Sequence, residues 1–289
     1  MKKTLILILC LLLCSCKNET VEKHVDLDSV NEFDYSNVDT FNFPVHSNEY
    51  LLIRMSDLKA MYEKDADKIM YPASLTKLLT MDTVINIVDD LSVRSSISSE
   101  QVDELIADDA SLAYIQTDYE YTIKDLLYAL ILPSGADAAV AIENYFDSLG
   151  LDLVEEMNKR AKELGCLNSN FINATGLHDD NHYTTLNDLL KIVLDILNNE
   201  EAKKVIETLH YKMEDGTFVK TTLRLFSNDE VKALGGKTGY TSESGQSVIV
   251  LFKKNNRSYI LMVANAMGDL SLDQYWHFED AIEIMNYIY

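Results

Sequence analysis

Tyr71-Pro72-Ala73-Ser74-Leu75-Thr76-Lys77 places a serine and a lysine three residues apart at the head of an apolar run. Leu75, Leu78, Leu79, Ile85 and Val88 recur at roughly helical spacing, and Pro72 stands where a helix tolerates proline, so the pattern predicts a helix over 74–88 beginning at Ser74. Side chains three apart share a helix face with Cβ atoms about 5–6 Å apart, close enough for a lysine amine to reach a serine hydroxyl. The unpaired, positively polarised N–H groups of a first turn also favour a developing oxyanion. Taken alone, Ser-x-x-Lys is short, and it fits an exposed helix start with a serine cap and a surface lysine.

Its companions change that reading. Ser134-Gly135-Ala136 follows Leu132-Pro133, and Gly235-Gly236-Lys237-Thr238-Gly239-Tyr240-Thr241 comes later. Their order is that of the three motifs of serine acyl-transfer enzymes. Together with Pro133-Ser134-Gly135-Ala136-Asp137-Ala138-Ala139, and with Phe171–His178 followed by Asn181–Thr185, they make the chain from about Tyr50 onward resemble the D-alanyl-D-alanine carboxypeptidases, the low-molecular-mass penicillin-binding proteins.

The resemblance implies an α/β (α+β) chain of the β-lactamase/transpeptidase-like fold, an antiparallel sheet flanked by helices with a helical subdomain. It implies a serine peptidase that removes the terminal D-Ala from peptidoglycan stem pentapeptides ending in D-Ala-D-Ala, with β-lactams as covalent inhibitors. Ser74 would be the nucleophile, Lys77 the base and Ser134 a proton relay. Lys237 and Thr238 would bind the terminal carboxylate, the N–H groups of Ser74 and Tyr240 would form the oxyanion hole, and Gly239 would let the strand approach closely. For Lys77 to be neutral at pH 7 its pKa must fall about 3 units, worth about 4 kcal/mol, through burial and a nearby positive charge, which Lys237 would supply. The departure is Ala136, where the family usually has asparagine. Losing one buried hydrogen bond of that kind costs roughly 1–3 kcal/mol, so a weakened but competent enzyme is expected.

Two other readings compete. A class A-like β-lactamase shares Ser74, Lys77 and Lys237 but needs a second base, and Glu163 precedes Leu167-Asn168 by one residue too many for its Glu-x-x-Leu-Asn pattern. A binding protein that recognises peptidoglycan peptides without cutting them would explain Ala136, but not the intact serines and lysines. His178 and His182 lack a recognisable third ligand, so they read as residues that shape a loop rather than as a metal site, and no cofactor is implied.

Lys2 and Lys3, the apolar run Leu5–Leu13 and Ser15-Cys16 form a leader too short to span a bilayer as a stable helix. Leu13-Cys14-Ser15-Cys16 resembles a lipoprotein processing box, which makes Cys16 the lipidation site. The expected organisation is a signal peptide over 1–15, an acidic flexible tether over 16–43 and the catalytic domain over 44–289. A chain exported to the extracytoplasmic face of a bacterial membrane and held there by its lipid follows from this. Cys166 alone lies in the body, so no intrachain disulfide is available there, and it reads as a packed residue. The formal charge of −22 repels phosphate backbones and argues against nucleic-acid binding.

Tyr50–Arg54 and Ala60–Glu63 read as strands joined at Ser56-Asp57, and a polar stretch then runs from the Ser74 helix to about Tyr121. Capping spacings at Thr122-x-x-Asp125 and Thr185-x-x-Asp188 open helices, and Pro133-Ser134-Gly135 makes a corner before another helix over Ala136–Phe146. Leu153–Leu164 reads as a helix stopped by Gly165, Val231–Thr241, Ser247–Lys253 and Tyr259–Ala264 as strands, and Gln274–Tyr289 as the closing helix.

Overall fold

Three long strands near the end of the chain, joined to a hairpin near its start, decide the architecture. The computed structural model describes residues 33–117, 119–224 and 230–288. Strands β1 (Ser47–Arg54) and β2 (Lys59–Lys64) form the first hairpin. A helical middle follows: α1 (Thr76–Ile87), a short β3 (Arg94–Ser95), α2 (Ser99–Ala107), β4 (Tyr121–Thr122), α3 (Ile123–Ile131), α4 (Ala136–Ser148), α5 (Leu153–Glu163), α6 (Leu186–Asn198) and α7 (Glu200–Ile206). After the small hairpin of β5 (His210–Lys212) and β6 (Phe218–Lys220), strands β7 (Val231–Thr241), β8 (Gly245–Lys254) and β9 (Arg257–Ala266) return to the sheet, and α8 (Trp276–Tyr287) closes the chain. The main sheet has the order β2-β1-β9-β8-β7 and is antiparallel throughout.

Each central strand reads as apolar without a break because both faces of the sheet are covered. Leu51, Ile53, Ile249, Leu251, Ile260 and Met262 point into the helical bundle. Their neighbours Leu52, Val248, Val250, Phe252, Leu261 and Val263 pack with Phe278, Ala281, Ile284 and Met285 of α8. The β8–β9 hairpin turns on Asn255 and Asn256, both left-handed at φ 51° and 62°, the conformation that two-residue hairpins demand. The expected sheet flanked by helices is the observed one.

The Ser74 helix differs from expectation in two ways. Ala73–Leu75 is a 3-10 turn and the α-helix begins at Thr76, so the nucleophile candidate sits on the tighter turn that precedes α1. No polar face exists on the first part of α1, since Thr76–Val84 are all buried and the helix runs through the middle of the bundle. Its buried polar residues therefore need internal partners. Thr80 Oγ1 donates to the Ala174 carbonyl at 2.9 Å, and Asp82 accepts from Arg160 Nε at 2.9 Å.

The polar stretch before Tyr121 contains α2, capped by Ser98 and Gln101 in a reciprocal box. That signal was present in Ser98-x-x-Gln101 but the helix buries only Leu105, so no apolar stripe announced it. At Thr122 only half of the expected box forms. Thr122 accepts from the Asp125 N–H, whereas the Asp125 carboxylate turns to Tyr211 Oη at 2.8 Å and to the Glu214 N–H at 3.0 Å, fastening the β5–β6 hairpin to α3. Helix α7 and that hairpin were not read from the sequence.

The leader, Cys16 and the tether as far as residue 32 lie outside the described residues. Residues 33–43, expected to belong to a free tether, instead lie along β2 in the manner of a strap. Asp34 and Asp39 make parallel bridges to Lys59 and Tyr62, with the Ala60 N–H donating to Asp34 O at 2.9 Å and the Glu63 N–H to Asp39 O at 3.1 Å. Phe41 stacks on Tyr62 at 4.3 Å and meets Tyr50 at 4.8 Å. The strap thus covers the unpaired edge that a two-faced sheet would otherwise present to other chains. Phe41→Ala should cost about 3 kcal/mol in urea unfolding, the scale of a lost core aromatic, whereas a free tether residue would cost nothing measurable.

Candidate active site

The cleft lies where β7, one edge of the sheet, meets the turn before α1 and the corner between α3 and α4. Ser74 is partly exposed there, on a turn whose first residue, Ala73, is held at φ 47°. Lys77 follows one turn later and is buried, with Nζ 3.0 Å from Ser74 Oγ. The same amine donates to the Thr175 carbonyl. Ser134 occupies the predicted corner in a left-handed conformation, φ 67°, rare for a residue with a Cβ, and it is 4% exposed.

Strand β7 delivers the third group. Lys237, fully buried, donates to Ser134 Oγ at 2.8 Å and to the Thr238 carbonyl at 2.9 Å. The strand can come this close because Gly239 has no side chain: a Cβ there would stand 3.0 Å from Pro72 O and 3.2 Å from Leu75 Cγ. Tyr240 follows at the rim, 48% exposed. Thr238 Oγ1 lies 2.6 Å from Thr222 Oγ1, and the Thr222 N–H is fixed to Leu132 O at 3.0 Å. Ser74, Lys77, Ser134, Lys237, Thr238 and Gly239 are thus gathered in one cleft, with Tyr240 beside it.

Thr222 carried no signal in the sequence, because a threonine in a loop resembles any other. The contact of the Thr175 backbone with Lys77 is equally invisible there. Asp137, quoted within the Ser134 motif but given no role, accepts from the N–H groups of Ala113, Ile115 and Ala138 at 2.9, 3.1 and 3.0 Å, and so ties the preceding loop to the head of α4. Ala136 is buried as the first residue of that helix, and its N–H donates to Ser111 O at 2.7 Å.

Burial governs the electrostatics. It pushes Lys77 down to about 7, and the Asp137 carboxylate pulls weakly the other way. Lys237 lies well below its ordinary value, through burial first and the charge of Lys77 second. Of the two expected causes, burial is the one that lowers Lys77, and the charge of Lys237 is not among its main causes. An amine that is neutral near pH 7 and 3.0 Å from a hydroxyl can take its proton.

His182 accepts from the Ile172 N–H at Nδ1, which places its proton on Nε2, 2.8 Å from Thr76 Oγ1. Burial pushes it down to about 4, so it is neutral and shapes the loop. His178 stands edge-on to Tyr71 at the cleft side. Cys166 is packed with its thiol donating to Asp188 O at 3.3 Å, and burial raises it to about 12. Glu163 ends α5 with an exposed side chain 3.5 Å from Arg160. Among the described residues, no three His, Cys, Asp or Glu side chains are grouped to hold a metal ion, and no helix is long and apolar enough to cross a membrane.

The family model described as D-alanyl-D-alanine carboxypeptidase, Peptidase_S11, matches residues 37–268. The chain belongs to the D-alanyl-D-alanine carboxypeptidase family. It is 30% identical over 220 residues to a D-alanyl-D-alanine carboxypeptidase of Bacillus subtilis, covering 75% of this chain and 56% of that one. It therefore spans little more than half the length of that relative. A carboxypeptidase of Streptomyces strain K15 is 27% identical over 243 residues, covering 78% of this chain and 81% of its own. The crystal structure of the Streptomyces K15 DD-transpeptidase superposes with a TM-score of 0.76 at 25% identity, over 86% of this chain and 98% of that one.

A lysine held below its unfolded value near 10.4 opposes folding while it is charged. The penalty is complete below the folded pKa of about 7 and vanishes above the unfolded one. Wild type should therefore gain stability over Lys77→Met as pH rises from 7 to 9, by about 1 kcal/mol per unit. Urea unfolding of both proteins at pH 7, 8 and 9 checks the sign.

Proposed function

We propose that this chain is a serine-type D-alanyl-D-alanine carboxypeptidase that acts on peptidoglycan stem pentapeptides. The observation that carries the reading is the buried Lys77 amine, lowered to about 7 and 3.0 Å from Ser74 Oγ. Ser74 Oγ attacks the carbonyl carbon between the two D-alanines while Lys77 Nζ takes the hydroxyl proton. The oxyanion is received by the N–H groups of Ser74 and Tyr240. Collapse breaks the C–N bond, and the leaving amine takes the proton from Lys77 through Ser134. Water then attacks the acyl ester, with Lys77 again accepting a proton, and Ser74 is restored.

Lys237 and Thr238 bind the substrate carboxylate in this reading. Lys237 is hard to charge because it is buried next to Lys77. The arriving carboxylate favours its ammonium form, and that charge in turn disfavours a proton on Lys77. Substrate would thus complete the electrostatics that ready the base. β-Lactams would acylate Ser74 by the same attack.

Ala136 offers neither Lys77 nor a substrate amide a polar atom. One missing hydrogen bond to substrate lowers turnover without abolishing it. The intact nucleophile, base and carboxylate site speak against a protein that only binds. Glu163, bound to Arg160 on the exposed end of α5, speaks against a β-lactamase-type second base. We further infer export, cleavage before Cys16 and lipid anchoring on the extracytoplasmic face of a bacterial membrane, supported by the sequence of the leader.

Wild type should release D-alanine from diacetyl-Lys-D-Ala-D-Ala and Ser74→Ala should not; no release by wild type sinks the reading. The acylation rate should fall about tenfold per pH unit well below pH 7, as Lys77 takes up its proton. Ala136→Asn should raise turnover about tenfold, the equivalent of one recovered hydrogen bond. Unchanged turnover would show that the position does not limit the reaction.

A further inference from the structure

The base needs more than a lowered pKa. A neutral amine has one lone pair, and that pair must point at the Ser74 hydroxyl to accept its proton. The fixed acceptor that orients Lys77 is a main-chain carbonyl, that of Thr175, in the loop 171–184 rather than on a helix.

A carbonyl on a loop is only as well placed as the loop; Glu143 of α4 meets its Ala174 N–H and His182 its Ile172 N–H, and around Thr175 itself Asn173 makes most of the bonds. Asn173 Oδ1 accepts from the Thr175 N–H at 3.2 Å, from Thr175 Oγ1 at 3.0 Å and from the Gly176 N–H at 2.7 Å. Its Nδ2 donates to Leu177 O at 3.0 Å, closing the loop from the other end. Donors surround one end of the amide and an acceptor meets the other, so the network fixes its orientation. Two external contacts place the pinned loop against the nucleophile. Thr80 of α1 donates to Ala174 O at 2.9 Å, and Gly176, at φ 80°, lies so close to Ala73 that a Cβ would stand 2.1 Å from Ala73 O.

We propose that Asn173 is a positioning residue for the reaction: by fixing the 173–177 loop it holds the Thr175 carbonyl on Lys77 and so aims the lone pair of the base at Ser74. The inference rests on the reading of Lys77 as base. It has a signature that a role in folding alone lacks. The carbonyl stabilises the ammonium form of Lys77, so releasing it makes the amine easier to deprotonate yet worse aimed. The groups that bear on Lys77 are Asp137 from α4, Lys237 from β7 and the neutral His182 from the loop itself. Asp137 and Lys237 stand outside the loop, His182, which accepts from the Ile172 N–H, is neutral throughout the range of the test, and Glu143 of α4, pushed up to about 7 by burial at the Ala174 N–H, is common to every variant.

The experiment is the acylation rate constant of the full chain with benzylpenicillin from pH 5 to 9, expressed per titratable site, for wild type, Asn173→Ala, Asn173→Asp and Thr80→Val. Asn173→Ala should lower the high-pH plateau by about 10- to 100-fold and move the acid limb to lower pH. Asn173→Asp keeps the acceptor, loses the donation to Leu177 O and adds a negative charge, so it should lower the plateau less than Asn173→Ala does and move the limb to higher pH. A plateau for Asn173→Ala within about twofold of wild type, or a loss seen only in the number of titratable sites, overturns the proposal. Should Asn173→Ala give no titratable sites, Thr80→Val decides. It should lower the plateau by about three- to tenfold with the limb again moving down, and an unchanged profile overturns the proposal. No acylation of wild type would sink the proposed function itself, whereas normal wild-type acylation with an unchanged Asn173→Ala sinks only the role of Asn173.

Discussion

Two lysine amines buried in one cleft are the constraint around which the molecule is built. Water would hold both as ammonium ions, and removing them from it shifts each toward the neutral form. Lys77 is carried into the interior by α1, the helix that other helices surround, and Lys237 by β7, the strand at the sheet's edge. Neither element alone could bury its lysine. The bundle must close over α1, and β7 must be pressed against the turn before it, so the reactivity of the site depends on how the two halves of the domain are joined.

That joint is costly in backbone conformation. Ala73 and Ser134 both have positive φ, each worth about 1–3 kcal/mol of strain for a residue with a Cβ. Strain at the residue before Ser74 and at the corner hydroxyl is tolerated because packing on every side overdetermines it. Leu75 and Leu132 are buried in the core beside them, and Asp137 ties three N–H groups to the helix that starts after the corner. Glycine stands at the two closest approaches of this joint, Gly239 against Pro72 and Gly176 against Ala73.

Much of this was legible in the sequence, and the boundary of what was legible has a physical cause. Strands and helices announced themselves through apolar period and caps, and the three motifs named the side chains that meet in the cleft. The polar residues of α1 were harder. Nothing in the sequence pointed to the partners of Thr80 and Asp82, because sequence shows that a residue is polar but not that Ala174 O or Arg160 waits for it. Contacts made by main-chain atoms left no trace at all: any residue at 175 has a carbonyl, and only the fold shows that this one faces Lys77. The strap failed for the opposite reason. Its acidic composition suggested a free chain, yet its pairing with β2 uses backbone groups that composition does not describe.

The strap also sets where mechanical load enters the domain. It lies on β2, and the sheet order places β7 four strand spacings away, about 19 Å at the usual separation. A pull on the chain upstream of Phe33 is taken up by the Asp34 and Asp39 carbonyls and passed into β2 and β1, at the edge remote from the cleft. The N-terminal segment thus joins the sheet at the edge opposite to the one that carries Lys237.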